Sequence, residues 1–400
     1  MSLSAVRAAW RGLMPEQARR WAAPAVTEAL RTYVRLGLPA AAAAQGPIRL
    51  VGVFDSPHGI GASARLARRA LEALGAEVEA IDVTHGAARL PGPTPASAWI
   101  FHLNPPELTP VLAHLGPARI LGPRYGYWAW ELPRAPDRWQ ADAGRMDEVW
   151  APSRFTAAAF ASPARTRVVP HPLFLEDYTA VRPAERPAGF QAVTLFDFNS
   201  SMARKNPFGA ITAFQAAFGD DPDCELVIKT HGGAHHPQAL AELAARTPAN
   251  MRLVDEAWPY GRVLEMISGA DVLISLHRAE GFGLPMAEAM ALGVPVVATA
   301  WSGNLDFMDE TCAMMVPASL TPVDDPQRIY AGQDWAEPDL AQAVAALRRL
   351  RAEPALGRDL GDAGRRRVDE RLSPQAWLAS LPKKLRVVIA GGGDKSSAAR

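Results

Sequence analysis

The chain has 400 residues, 48% hydrophobic and 21% charged, a length and balance that suit two soluble domains rather than one core. Lysine plus arginine (42) equals aspartate plus glutamate (42), so no basic field draws nucleic acid and none is expected as a partner. The 2 cysteines, Cys224 and Cys312, stand far apart in no metal-ligand spacing, which argues against a disulfide framework or zinc site and for a reducing, cytoplasmic setting.

Residues 1–45 read as a helical extension with neither a signal peptide's compact apolar region nor a membrane-spanning run. Arg7, Arg11, Arg19, Arg20, Arg31 and Arg35 face only Glu16 and Glu28. Leu13, Trp21, Val26, Leu30, Val34 and Leu38 give a loose apolar stripe broken by Pro15 and Pro24. Such a basic amphipathic segment, residues 1–38, could lie on an anionic membrane surface as a peripheral contact at the inner membrane. The alternative is a helix packed on the protein or partly disordered.

From residue 46 the pattern alternates strand and helix. Ile48–Phe54, Val78–Val83, Ala98–Leu103, Val149–Ala151 and Val168–Val169 are predicted strands, and Ala62–Leu74 is a helix ending at Gly75. Parallel βαβ units in a doubly wound sheet follow, giving a first domain over 46–173. The segment 174–190, with Pro183 and Pro187, reads as a linker. A second series over 191–372 has strands Ala192–Phe196, Glu225–Lys229, Met251–Val254, Val272–Leu276 and Val294–Ala298, with helices Pro207–Phe218, Pro285–Leu292 and Leu340–Leu350 among them. Residues 373–390 are expected to form a helix that packs back on the first domain, and 391–400 a disordered tail. The fold class is therefore α/β, two Rossmann-like doubly wound domains of the same architecture.

The most informative stretch is Ser275–Thr299, SLHRAEGFGLPMAEAMALGVPVVAT. A strand ends in a loop holding Glu280, Gly281 and Gly283. Pro285 stands where a first helical residue would, since its missing N–H has no intrahelical partner there. Gly293 is placed as a left-handed cap. The loop thus offers the N–H groups of Gly281, Phe282, Gly283 and Leu284, beside a helix N-terminus, at the carboxyl edge of a parallel sheet, which is a seat for a diphosphate. Glu280 in the loop and Glu288 about one turn into the helix are acceptor-only groups suited to sugar hydroxyls. His231, His235 and His236 lack a paired carboxylate or cysteine, and no metal is expected there.

Glu280 through Glu288, followed by AMALGVPVVAT, closely resembles the E-x7-E signature of the retaining family-4 glycosyltransferases of the GT-B fold. The resemblance extends through Ser302-Gly303-Asn304 and upstream to Arg204-Lys205-Asn206-Pro207, and covers most of residues 190–372. It implies that Glu280 contacts donor-sugar hydroxyls, that Glu288 holds the nucleotide ribose, and that the backbone at Phe282–Leu284 meets the diphosphate. Lys205 stands where the family's phosphate lysine is expected. The family's arginine about six residues earlier is absent, Asn199–Ser201 occupying that stretch, so Arg204 or Lys229 would supply the second positive charge.

In the first domain, Gly59-Ile60-Gly61 follows a strand and opens a helix. It would approach donor phosphates or acceptor, or else only permit close helix–strand packing. Tyr125–Pro133 clusters Trp128, Trp130 and Glu131 where a strand's carboxyl end should lie. Aromatic rings stack on sugars and a carboxylate accepts hydroxyl protons, which makes the two tryptophans acceptor-binding candidates and Glu131 a catalytic one. The other reading is a packing cluster under the cleft. The histidine that many family members place against the reacting sugar is missing from this segment. His102 in the preceding strand is the nearest candidate, and could equally be a satisfied core histidine.

The resemblance implies transfer of a hexose, with retention and without a metal or other cofactor, from a nucleotide diphosphate sugar such as GDP-mannose or a UDP-hexose. The acceptor would be a glycan or lipid-linked sugar of bacterial polysaccharide synthesis. Two other readings are another GT-B enzyme (a nucleotide-sugar 2-epimerase or a phosphorylase, the latter needing a far longer chain) and a non-catalytic GT-B subunit that binds a nucleotide sugar or glycan.

Overall fold

The computed structural model describes residues 16–397, except 41, 43–44, 57–58, 87–88, 161–164, 186–187 and 327–329. The membrane contact expected of residues 1–38 therefore rests partly on residues outside those described. No described helix is long and apolar enough to cross a membrane.

Six parallel strands form the first sheet: β1 (Ile48–Gly52), β2 (Val78–Asp82), β3 (Ala98–His102), β4 (Arg124–Tyr127), β5 (Glu148–Ala151) and β6 (Thr166–Val168), in the order β2-β1-β3-β4-β5-β6. Helices α1 (Glu16–Gly37), α2 (Gly59–Ala73), α3 (Pro105–Leu115) and α4 (Arg154–Ala158) belong to this half. Alternate residues of β3 serve opposite faces, as a strand's period of two dictates. Trp99 and Phe101 join Val51, Val34 of α1 and Leu112 of α3 in one core. Ala98 and Ile100 join Ile48, Leu50 and Leu71 of α2 in another.

The second sheet repeats the plan with β7 (Phe190–Asp197), β8 (Cys224–His231), β9 (Met251–Asp255), β10 (Val272–Ser275), β11 (Val296–Thr299) and β12 (Met314–Val316), in the order β9-β8-β7-β10-β11-β12. Its helices are α5 (Met202–Lys205), α6 (Pro207–Phe218), α7 (Tyr260–Ser268), α8 (Leu284–Ala291), α9 (Leu340–Ala352) and α10 (Pro354–Leu372). Both faces are covered, which is why β10 and β11 read as continuous apolar runs rather than alternating ones. Strand order reverses between β7 and β10, and in such sheets ligands bind outside the carboxyl ends of the strands at that point.

Three features depart from the sequence reading. Residues Ala318–Pro322 and Asp334–Pro338 pair as an antiparallel hairpin, β13 and β14, that the polar sequence ASLTP did not announce. Arg124–Tyr127 is a fully buried strand of the first sheet. The final helices α11 (Pro374–Ser380) and α12 (Lys383–Ser397) run into the stretch whose glycine and serine content suggested a disordered tail, because Lys383–Ala390 starts a helix that continues through Ser397. Trp377, Leu381, Leu385 and Ile389 of this region are all 2% exposed or less and complete the core around Ile48 and Leu50. Each such burial stabilises by about 1.5–3 kcal/mol.

The two halves are joined directly. Leu173 N–H donates to Leu372 O (2.7 Å). From the β13–β14 hairpin, Gln333 makes a reciprocal pair with Arg134, accepting its N–H at 2.8 Å and donating to its carbonyl at 3.0 Å.

Candidate active site

The site grows from the carboxyl end of β7. Ser201 caps the short helix α5, its hydroxyl accepting the Arg204 N–H, and Asn206 ends it in the left-handed region (φ 52). Asparagine tolerates that conformation better than most residues. Its side chain then spans both neighbours, donating to Leu276 O at 2.8 Å and accepting from Gly209 N–H at 3.1 Å. Asn206 therefore fixes the turn that aims Arg204 and Lys205 at the end of β10.

Glu280 meets them there. Lys205 Nζ donates to Glu280 Oε1, and Arg204 Nη1 lies 3.4 Å from Oε2. Arg204 also donates to Ala279 O (2.7 Å) and approaches Glu131 of the first domain (4.0 Å), which accepts from Tyr330 OH at 3.1 Å. Burial alone would raise the Glu280 pKa, but the adjacent Lys205 and Arg204 charges override it and hold the carboxyl at about 2. Burial draws the Lys205 pKa down against the pull of Glu280.

The loop after Glu280 is tied at its base to Ser302 and Gly303. Glu280 N–H donates to Ser302 Oγ (2.9 Å), and Gly303 N–H donates to Glu280 O (2.9 Å). Ser302 holds φ 79, an unusual conformation for a non-glycine residue and one that clusters at functional sites. Gly283, at φ 97, caps α8, so Leu284 is the first helical residue and Pro285 the second, one later than the sequence suggested. Pro285 still costs nothing, since no second-position N–H has an intrahelical partner. Among the described residues the N–H groups of Gly281, Phe282 and Gly283 make no hydrogen bond. The arrangement presents free amides, a helix N-terminus and two cations around one carboxylate.

Gly303 makes this packing possible. A Cβ there would collide with the Gly281 carbonyl and crowd that of Glu280 at 2.8 Å, and neither backbone group can move aside. Gly303→Ala is expected to displace the Glu280 loop, destabilise the fold by about 1–3 kcal/mol and abolish nucleotide binding. Denaturant unfolding and a nucleotide titration of the variant check it, and unchanged binding would show that the loop's position is not needed.

Glu288 lies on α8 and is buried, accepting from Tyr260 OH at 2.5 Å. Tyr260 in turn sits 3.3 Å from Tyr178 OH. Burial pushes the Glu288 pKa up to about 7, with the Tyr260 hydrogen bond pulling the other way.

Other predicted residues fall elsewhere. Trp128 is fully buried against Phe160, and Trp130 lies between Trp139 and Tyr330 at 5% exposure. They form the packing cluster under the cleft and offer no face to a sugar, which corrects their reading as acceptor platforms. Glu131 next to them does reach the Arg204 cluster. His102 is 2% exposed, stacked on Tyr127 with ring centroids 4.4 Å apart and 3.3 Å from Ser63 Oγ. Burial, with a smaller push from His171, lowers its pKa to about 3, so it is a neutral core histidine and not a group facing the cleft.

Lys229 is also buried, donating to Thr230 O (2.8 Å) and Glu256 O (2.5 Å) with Trp258 over its ammonium. Two carbonyls already occupy it, and it is not drawn into the Glu280 cluster. Gly61 packs against the carbonyls of Val53 and Ser56, while Gly59 has open space around it. The glycine pair thus serves helix–strand packing at Gly61. Sequence reasoning missed Tyr260, Tyr330, Ser153 and Thr156, and lone hydroxyl residues gave it no pattern to find.

This geometry, with two Rossmann-like domains meeting at the carboxyl edges of their sheets, is that of the GT-B glycosyltransferases. Residues 199–328 match the family described as "Glycosyl transferases group 1". The chain is 30% identical over 163 residues to the MMP alpha-(1->4)-mannosyltransferase of Mycolicibacterium hassiacum, a match covering 40% of this chain and 34% of that protein. The chain thus spans about a third of this curated relative. Among solved structures it resembles sucrose-phosphate synthase from Thermosynechococcus elongatus (TM-score 0.59, 16% identity, covering 89% of this chain and 100% of that one). It also resembles Anabaena HepE in complex with UDP and glucose (TM-score 0.58, 11% identity, 88% and 99%). The fold is GT-B, and the part of the second domain over residues 199–328 is similar to the group 1 glycosyltransferases.

Proposed function

We propose that the chain is a retaining, metal-independent hexosyltransferase that takes its sugar from GDP-mannose or a UDP-hexose. It would pass that sugar to a glycan or lipid-linked acceptor on the cytoplasmic side of a bacterial membrane. The observation that carries the reading is the convergence of Lys205, Arg204, Glu280 and the free amides of Gly281–Gly283 at the reversal point of the second sheet. A departing nucleotide diphosphate gains negative charge, and these positioned donors stabilise it in the transition state. Glu280 orients the donor sugar's hydroxyls while neutralising the cations before the donor arrives. Glu288, held by Tyr260, accepts from the ribose hydroxyls. Lys205 and Arg204 fill the role that a divalent cation would otherwise take, and the departing phosphate itself draws the proton from the acceptor hydroxyl. The mannosyltransferase relative supports a mannose donor, and the UDP complex of HepE a uridine one.

A thermal-shift panel of UDP, GDP, dTDP and ADP with their sugars, with and without EDTA, tests this. A ligand that binds only the folded state raises the melting temperature, by about 2.7 kcal/mol of added stability at a hundredfold excess over its Kd. One nucleotide is expected to shift the transition, unaltered by EDTA. A shift that EDTA abolishes would overturn the metal-independent reading. No shift from any nucleotide would favour a non-catalytic glycan-binding subunit.

A further inference from the structure

Besides the approach of Glu131 to Arg204 and of the His171 ring to Phe282, the first domain grips the loop of the diphosphate seat at the Gly281 carbonyl. Ser153 Oγ donates to Gly281 O at 2.6 Å, and Thr156 Oγ1 lies 3.1 Å from the same oxygen and 2.7 Å from Trp130 O. Ser153 and Thr156 are both wholly buried. Each hydroxyl has one proton to give. The shorter contacts allot Ser153's proton to Gly281 and Thr156's to Trp130, while Ser153 Oγ accepts the Thr156 N–H at 3.1 Å as the cap of α4. Gly303 also packs against the same carbonyl, since a Cβ there would strike it.

A planar trans peptide points its carbonyl and its N–H in opposite directions, and no cis bond occurs here. Fixing the Gly281 carbonyl toward Ser153 therefore fixes the Phe282 N–H pointing away from Ser153. Without that hydrogen bond, the Gly281 carbonyl keeps only the longer Thr156 contact and Gly281 has no side chain to hold it, so the peptide is anchored only from its far side, by the Phe282 ring against His171 and Phe307.

We propose that Ser153 is a positioning residue through which docking of the first domain sets the Gly281–Phe282 peptide, so that the diphosphate-stabilising amides are aligned only when the domains are together. This rests on the glycosyltransferase reading and adds to it a link between domain closure and chemistry. Nucleotide binding needs only the second domain, whereas turnover needs the carbonyl captured. A donor bound to an open enzyme would then be protected from wasteful hydrolysis, because the amides that stabilise the leaving group are not yet in line.

The test uses the full chain with UDP and GDP as binding probes, and release of nucleotide from UDP-glucose or GDP-mannose as turnover. Ser153→Ala is expected to lower kcat roughly tenfold to a hundredfold, less than the 10²–10³ lost when an oxyanion donor is removed outright. Its nucleotide Kd and donor KM should stay within about threefold of the parent, the pattern of an interaction made only in the transition state. Ser153→Thr keeps the proton and should restore kcat. Ser153→Asp keeps a good helix cap but when ionised has no proton to donate, so kcat should stay low at the alkaline end of the pH range, where the buried carboxyl has lost its proton. Recovery in Ser153→Asp at that end would mean that only the cap matters, and an unchanged kcat in Ser153→Ala would mean that the contact is idle; either overturns the proposal. Amide exchange gives a readout independent of activity and of the aspartate variant's folding. The Glu280 and Gly303 amides should exchange faster in Ser153→Ala and at the parent rate in Ser153→Thr, and equal rates in all three would also overturn it. If the parent protein neither binds the nucleotides nor releases them from either sugar, the glycosyltransferase reading itself has failed, whatever the exchange rates show.

Discussion

Replacing Glu280 with glutamine is expected to lower turnover about 10²–10³-fold and to destabilise the protein by about 3–5 kcal/mol in the same variant. The two losses share one cause. The carboxylate is the shared counter-charge of Lys205 and Arg204, and an amide would leave two buried cations facing each other. The folded pKa of about 2 lies below the ordinary 4.5, so this stabilisation is fully present above pH 4.5 and is lost as the pH falls toward 2. Denaturant unfolding from pH 7 down to pH 2.5 should show the parent converging on Glu280→Gln at the acid end. A constant gap between them at every pH would mean that Glu280 is not held as an ion. UDP or GDP should still bind the variant, because Glu288 and the loop amides remain.

Glu288→Gln should behave oppositely. The folded pKa of about 7 lies above 4.5, so the neutral form is the one the fold favours. Its stabilising contribution is present below pH 4.5 and lost as the pH rises through 7. Glutamine keeps the neutral shape at every pH and still accepts from Tyr260. The variant should match the parent at pH 4 and exceed it by about 3 kcal/mol at pH 8.5, a gap read from denaturant midpoints at the two pH values. Nucleotide affinity should fall about tenfold to a hundredfold, the cost of losing a hydrogen bond to a charged acceptor. In the parent, ribose hydroxyls arriving at Glu288 favour its charged form, so binding should release a proton near pH 6.5. Calorimetric titrations in two buffers of different ionisation enthalpy would detect it. The same apparent heat in both buffers would count against Glu288 as the ribose acceptor.

Much of this architecture was legible because it follows from period and punctuation. The run Pro207–Phe218 opens on a proline and stands in the structure as a helix with the same bounds. Gly293 stops α8 in the left-handed region, φ 76, as its place after Leu292 suggested. The Glu280–Glu288 spacing was visible because one loop and one helix turn carry both groups. What escaped reading depends on partners far away in sequence. Tyr330 finds Glu131 and Gln333 finds Arg134 across 199 residues, and nothing local marks either. Trp128 and Trp130 misled for the converse reason. An aromatic cluster near a strand end has the same composition whether it lines a cleft or fills a core, and only packing against Phe160, Trp139 and Tyr330 decides it.

The return of α11 and α12 to the first sheet bears on how the protein is made. Trp377, Leu381, Leu385 and Ile389 cover apolar residues of β1, β3 and α2 that leave the ribosome some three hundred residues earlier. At about 5–20 residues per second, that face waits on the order of tens of seconds for its cover during synthesis. The amino-terminal half is therefore the part of the nascent chain most in need of a chaperone. Truncation before residue 374 should yield aggregates rather than a soluble donor-binding fragment.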